Sequence, residues 1–134
     1  MSLNDIERAE LVKLYWAKSA ETLEDARLNQ LQKRWNATAN RLYYALFHAI
    51  AALYVSDGIA VSSHKGTKVR FGKEYVLSGL ATEAEGKLLS QMEAMRERAD
   101  YDVTFMADEK IINERFPLVE QMIHHIRKLI DKNR

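Results

Sequence analysis

The chain has 134 residues, of which 47% are hydrophobic and 29% are charged, and this balance predicts one folded domain over residues 1–134 with a single core. It contains no cysteine, which excludes disulfide bonds, thiolate metal sites and a cysteine nucleophile. The formal net charge of +1 argues against a dedicated double-stranded DNA binder, so any contact with nucleic acid must rest on a local basic patch.

Helical periodicity extends along almost the whole chain, and the alternation that is typical of strands is absent. The first helix is predicted over about residues 5–30, because Asn4 and Glu7 have the capping-box spacing at its start. Its apolar residues recur every three or four positions and therefore share one face. They are Val12, Trp16, Ala20, Leu23 and Ala26.

The second helix is predicted to begin near Trp35 or Asn36. It ends before Asp57, because Gly58 suits the left-handed residue that follows a helix. Residues 45–55 are apolar on almost every side of this helix. A helix of this kind lies at the centre of a bundle or in an oligomer interface.

Three further helices are predicted. The third follows the loop 59–63 and reaches about residue 76, and the fourth runs from a second capping box at Thr82 to about residue 98. Residues 100–102 are predicted to form a tight turn. The last helix begins near Asp108 and contains Pro117, where we expect a kink or a restart. These elements predict an all-α fold, an antiparallel helix bundle.

Sequence motifs for membranes, metals and cofactors are missing. No apolar run reaches the roughly 18 residues of a membrane span, and residues 1–10 are too polar for a secretory signal, so we expect a cytoplasmic protein. The sequence has no Glu-x-x-His, no zinc spacing, no phosphate-binding glycine loop and no dinucleotide fingerprint. We therefore expect neither a metal nor a cofactor.

A polar strip on the second helix is the first candidate site. Arg41 and His48 are seven residues apart, which places them on one face of a helix. Asn40 and Tyr44 lie on the adjoining positions. The imidazole can accept or deliver a proton near neutral pH, and the guanidinium can bind a phosphate. This pair could cleave RNA without a metal, and a symmetric dimer would supply two pairs. The alternative is a hydrogen-bonded core histidine and an arginine that reaches water.

Two basic segments are further candidates. Residues 64–73 carry no acid, and a helix that begins there offers free backbone N–H groups to a phosphate. The candidate contacts are His64, Lys65, Lys68 and Arg70. Arg98 and Tyr101 are candidates for phosphate contact or for a hydrogen-bonded tyrosine. The alternatives are a solvated helix face for the first segment and, for the second, a helix end fixed by an Arg–Asp pair.

Several longer runs of the sequence resemble one known family. The runs NRLYYALFHAIAALYVSDGI, SSHKGTKVRFGKEYV and RERADYD look like the small prokaryotic branch of the HEPN family, in the order expected for it. The resemblance covers the chain from about Ala17 to Ile130. It implies a bundle of four to five antiparallel helices that forms a homodimer.

The resemblance also implies a function. Many members are metal-independent ribonucleases with an Arg-x(4–6)-His motif at the dimer cleft, and they act as toxins paired with a small nucleotidyltransferase antitoxin. Arg41 and His48 match this motif at its longest spacing. Active members usually carry a polar residue after the arginine, whereas this chain has Leu42. Members without an active pair bind a nucleotide or a partner, and this non-catalytic role is the alternative.

Overall fold

The computed structural model describes residues 3–132, and these residues form five α-helices and no strand, which confirms the predicted all-α bundle. The helices are α1 (Asp5–Leu31), α2 (Trp35–Ser56), α3 (His64–Phe71), α4 (Glu83–Tyr101) and α5 (Glu109–Asp131). A π-helical turn, Gly72–Val76, continues α3. No helix within residues 3–132 has the length and apolarity that crossing a membrane requires.

Helix α2 lies at the centre of the bundle and packs against α1, α4 and α5. Its side chains Leu42, Leu46, Ile50 and Leu53 are fully buried. Burial of each such side chain contributes roughly 1.5–3 kcal/mol to the free energy of unfolding, which explains why this helix organises the core. The prediction of a helix that is apolar on almost every side is confirmed.

The interface between α1 and α2 differs from the predicted one. Ala20 is exposed, whereas Ser19 and Thr22 face the core. The Ser19 hydroxyl donates a hydrogen bond of 2.7 Å to the carbonyl oxygen of Ala45 on α2. Small side chains with internally satisfied hydroxyls let two helices approach closely. The predicted position of Ala20 on the apolar face of α1 was therefore wrong. The close contact between the two helices places the small polar residues Ser19 and Thr22 in the interface instead.

The helix starts follow the predicted signals. Both capping boxes are present, and the Asn4 side chain accepts a hydrogen bond of 2.8 Å from the backbone N–H of Glu7. Ser63 is the N-cap of α3 and accepts from the N–H of Gly66 at 3.1 Å. Gly58 has a φ of +75°, the left-handed conformation expected after α2.

Helix α4 continues past its predicted end. It extends to Tyr101, so the predicted turn over residues 100–102 was wrong for its first two residues. Arg96 pairs with Asp100 and Arg98 with Asp102, both at the i, i+4 spacing that stabilises a helical turn. The turn begins at Asp102, whose carboxylate accepts from the backbone N–H of Thr104 at 3.0 Å.

Helix α5 passes through Pro117 without a restart. Proline inside a helix costs roughly 3 kcal/mol. The apolar face of α5 is buried on both sides of the proline, and this burial offsets the cost. Its buried residues include Ile112, Phe116, Val119, Ile123 and Ile126.

The close α1–α2 contact predicts a strong difference between two neighbouring substitutions. Ser19→Leu inserts a large side chain between the helices and is expected to lower the free energy of unfolding by about 1–3 kcal/mol. Ala20→Leu adds the same side chain on the exposed face and is the matched control, expected to have little effect. Urea denaturation measures both values. Equal destabilisation would contradict the observed interface.

Candidate functional site

Arg41, Tyr44 and His48 lie in a row along α2, and all three are half-buried. The Arg41 guanidinium carbon is 5.6 Å from the centre of the Tyr44 ring. The Tyr44 and His48 rings have their centres 6.1 Å apart. The three side chains thus form one partly exposed polar strip on an otherwise buried helix, with Tyr44 between the cation and the imidazole.

A neutral amide orients the Arg41 side chain. Its Nε and Nη2 atoms lie 3.0 and 2.8 Å from the side-chain oxygen of Asn40. Within residues 3–132, Arg41 forms no ion pair with a carboxylate. An arginine has five N–H donors, so its remaining donors and its positive charge are available to an anion.

The surroundings of His48 favour the neutral form of its imidazole. Its Nδ1 atom is buried and has no hydrogen-bond partner among the described residues. Burial lowers the pKa of His48 below the usual 6.5, and the charges of Lys18 and Arg41 lower it further. The imidazole is therefore neutral at physiological pH and can accept a proton.

His64 is fixed between two tyrosines of α2. Its Nδ1 lies 2.8 Å from the hydroxyl of Tyr43 and its Nε2 lies 3.5 Å from that of Tyr44. Burial, followed by the charge of Glu93, raises the pKa of the Tyr43 hydroxyl above its usual value, so this group stays protonated. The start of α3 is thereby held against the polar strip, which brings His64 together with the residues predicted on α2.

Arg96, the first arginine of the run RERADYD, belongs to the same cluster. Its side chain is 7% exposed, and its guanidinium lies 5.1 Å from the ring centre of Tyr43 and 5.7 Å from that of Tyr44. Its ion pair with Asp100 confirms the predicted Arg–Asp pair at the helix end. Its spacing in the sequence indicates this position, because Arg96 lies four residues after Met92 and therefore on the apolar face of α4.

An open cleft of about 580 Å³ lies beside Arg41, between α2 and the end of α4. Asn40, Arg41 and Asp100 line this cleft. Tyr101 lies at its edge with 77% of its surface exposed. The structure therefore brings the predicted residues Asn40, Arg41 and Tyr101 together around a space that is open to solvent.

The basic residues of α3 are only partly available. The Lys68 ammonium lies 3.8 Å from the carboxylate of Glu93, and the Arg70 guanidinium lies 3.9 Å from that of Glu74. Lys65 is exposed and has no ion pair within the part of the chain that the structure describes. Two of the four predicted phosphate contacts on this segment thus lie beside neighbouring acids.

Arg98 lies apart from the polar strip. It pairs with Asp102 at 3.6 Å, and its guanidinium lies over the Phe105 ring at 4.4 Å. It borders a separate depression between α4 and α5. No group of three or more potential metal ligands occurs within residues 3–132.

Comparison with known proteins identifies the family to which this five-helix bundle belongs. The HEPN domain family model matches residues 12–130, and the chain belongs to this family. A UPF0332 protein of Thermotoga maritima is 32% identical over 87% of this chain and 89% of its own length.

Two relatives come from Methanocaldococcus jannaschii. The protein named "Putative toxin MJ0605" is 25% identical, over 84% of this chain and 78% of its own length. The protein named "Putative toxin MJ0142" is 26% identical, over 72% of this chain and 65% of its own length. The family relationship therefore includes proteins whose names describe toxins.

The electrostatic surroundings of His48 predict how its titration responds to substitution. Lys18→Gln removes a positive charge that disfavours the imidazolium ion, so the pKa of His48 is expected to rise towards its usual value. Lys13→Gln removes an exposed charge from the same helix and is the matched control. NMR titration of the imidazole protons measures both. A His48 pKa that is unchanged by Lys18→Gln would contradict the proximity of the two groups.

Proposed function

We propose that this chain is a metal-independent endoribonuclease that acts as the toxin of a toxin–antitoxin pair. The proposal rests on one observation: Arg41 forms no ion pair within residues 3–132, and Tyr44 separates it from the neutral His48 on a partly exposed strip. A phosphate requires the free cation, and the proton of a ribose hydroxyl requires the neutral imidazole. The family and the names of the archaeal relatives support the toxin role.

The chemistry follows from these two groups. His48 accepts the proton of a ribose 2′-hydroxyl, and the resulting oxygen attacks the adjacent phosphorus. The bond from phosphorus to the 5′-oxygen breaks, and that oxygen takes up a proton. The free donors of Arg41 stabilise the negative charge that develops on the phosphate oxygens. The products are a 2′,3′-cyclic phosphate and a 5′-hydroxyl.

A homodimer would complete the acid–base couple, because one imidazole performs only one of the two proton transfers. The second His48 would come from another copy of the chain across a shared cleft, and it would donate in its protonated form, which the lowered pKa makes the minor form at physiological pH. Exposed apolar residues support this arrangement: Tyr101 borders the cleft, and Val103 and Met106 follow it on the loop. A second copy would remove these side chains from water.

RNA and an antitoxin are the proposed partners. Lys65 would contact the RNA backbone directly, and His64 would contact it from the edge of the strip. Lys68 and Arg70 would do so after exchanging their carboxylate partners for phosphates. Arg98 would contribute at a distance from the strip. A small nucleotidyltransferase would act as the antitoxin, in keeping with the toxin names of the relatives.

Cleavage of RNA in the presence of EDTA tests the enzymatic proposal. His48→Ala and Arg41→Ala are each expected to lower the cleavage rate by about 10²–10⁴-fold, because each removes a group that acts on the reacting atoms. His124→Ala removes an exposed histidine on α5 and is the matched control, expected to retain full activity. Thermal unfolding checks that all variants are folded.

Equal cleavage by the wild type and both site variants would show that the activity comes from another site or from a contaminant. If neither the wild type nor any variant cleaves the RNA, the nuclease activity is excluded for that RNA, and the second candidate function is favoured.

The second candidate is a non-catalytic domain that binds a nucleotide or a partner protein. Leu42 is fully buried, so the position after Arg41 contributes no polar group to the site. The open cleft beside Arg41 has room for a nucleotide. Calorimetry with nucleoside mono-, di- and triphosphates distinguishes the two functions, because binding without RNA cleavage supports the second.

A further inference from the structure

A series of hydrogen bonds connects the last turn of α4 with Arg41 on α2. The amide nitrogen of Asn40 lies 3.1 Å from each carboxylate oxygen of Asp100. The amide oxygen of the same residue accepts from Nε and Nη2 of Arg41. One side chain thus joins a carboxylate on one helix with a guanidinium on another.

A side-chain amide can make both contacts at once. It donates through its nitrogen and accepts through its oxygen, whereas a carboxylate only accepts and an ammonium only donates. The acceptor at Asp100 also determines which way the amide faces. Without that acceptor, the nitrogen and oxygen of Asn40 could exchange places, and the nitrogen would then face the Arg41 donors.

Asp100 is itself held in place. Its carboxylate lies 3.6 Å from Nη1 of Arg96, whose side chain is 7% exposed and lies against the rings of Tyr43 and Tyr44. The buried guanidinium needs a negative partner, and Asp100 supplies it from the same helix. The position of the carboxylate is therefore set by the packing of the core.

We propose that Asp100 is a positioning residue, which fixes the direction of the Arg41 guanidinium through Asn40. The inference rests on the proposed function, because it assigns a role in directing the phosphate-binding group. It explains how Arg41 is oriented without a carboxylate that compensates its charge directly: the side chain that contacts Arg41 is the neutral Asn40, which lies between it and Asp100. The remaining Arg41 donors are thereby presented to the cleft that Asp100 and Arg41 both line.

The test compares Asp100→Ala with Asp100→Asn. Both substitutions remove the negative charge that faces Arg96. Only Asp100→Asn keeps an oxygen that can accept from the amide of Asn40. Asp102→Ala is the matched control. It removes the carboxylate that pairs with Arg98 at the same i, i+4 spacing, two residues after Asp100.

The first readout needs no enzymatic activity. NMR measures the rate at which the Arg41 Nε proton exchanges with water, with Arg41→Lys identifying the signal. Exchange is expected to be several-fold faster in Asp100→Ala than in the wild type, because the hydrogen bond to Asn40 is weakened. Asp100→Asn and Asp102→Ala are expected to retain the slow exchange.

The second readout is RNA cleavage. Asp100→Ala is expected to lower kcat by between about tenfold and a hundredfold with a smaller change in KM, since a misdirected group loses contact mainly in the transition state. Asp100→Asn is expected to recover most of this loss. A role limited to pairing with Arg96 would instead lower stability and activity equally in both variants, and that result would overturn the inference.

The two readouts separate this inference from the proposed function. Faster Arg41 exchange in Asp100→Ala alone, in a protein that cleaves no RNA, would support the positioning role while the nuclease proposal fails. If Asp100→Ala changes neither the exchange of the Arg41 Nε proton nor RNA cleavage, the positioning role is overturned. The nuclease proposal is then still tested separately by His48→Ala and Arg41→Ala. If Asp100→Ala unfolds, Asn40→Ala removes the same link from α2, and unchanged Arg41 exchange in that variant also overturns the inference.

Discussion

The burial of α2 against three other helices is the constraint on which the rest of the structure depends. A helix that is surrounded by apolar contacts can carry few polar side chains, because each buried polar group needs a partner. Arg41 and His48 are the exceptions, and both lie where the helix is half-exposed. Beside them, the hydroxyls of Tyr43 and Tyr44 have His64 as a hydrogen-bond partner. Among the described residues, three buried polar side-chain atoms of α2 and α4 have no such partner: Nδ1 of His48, Nε of Arg96 and Oε2 of Glu93.

Much of the fold could be predicted from local signals. Capping boxes at Asn4 and Thr82 and the glycine at position 58 mark helix ends through bonds within a few residues. The apolar character of α2 predicted its central place. One error arose where a distant contact decides, because close packing against α2 turned Ser19 inwards and Ala20 outwards. The other error concerns a local effect, since the i, i+4 ion pairs of Arg96 and Arg98 extended α4 to Tyr101.

The candidate site also combines features that the sequence indicates with features that depend on contacts between distant residues. The spacing of Arg41, Tyr44 and His48 on one helix was visible in the sequence, because helical geometry alone places them together. The contact between Asn40 and Asp100 joins residues that are 60 positions apart, and no local pattern indicates it. Likewise, a run of cations on α3 did not show that Lys68 lies beside Glu93 on α4, whereas the Arg70–Glu74 pair has the i, i+4 spacing that is visible in the sequence. The availability of Lys68 therefore depends on the helix packed beside it.

The neutral partner of Arg41 has a kinetic consequence. A cation that is not paired with a carboxylate keeps its electric field in the surrounding solvent, and this field accelerates the approach of a polyanion over distances near the Debye length. Lys68 and Arg70, each beside an acid, contribute far less to such steering. In the proposed nuclease, Arg41 and the exposed Lys65 would therefore attract an RNA strand more strongly than Lys68 and Arg70 would. Added salt should slow this encounter more than it disturbs the contacts made afterwards.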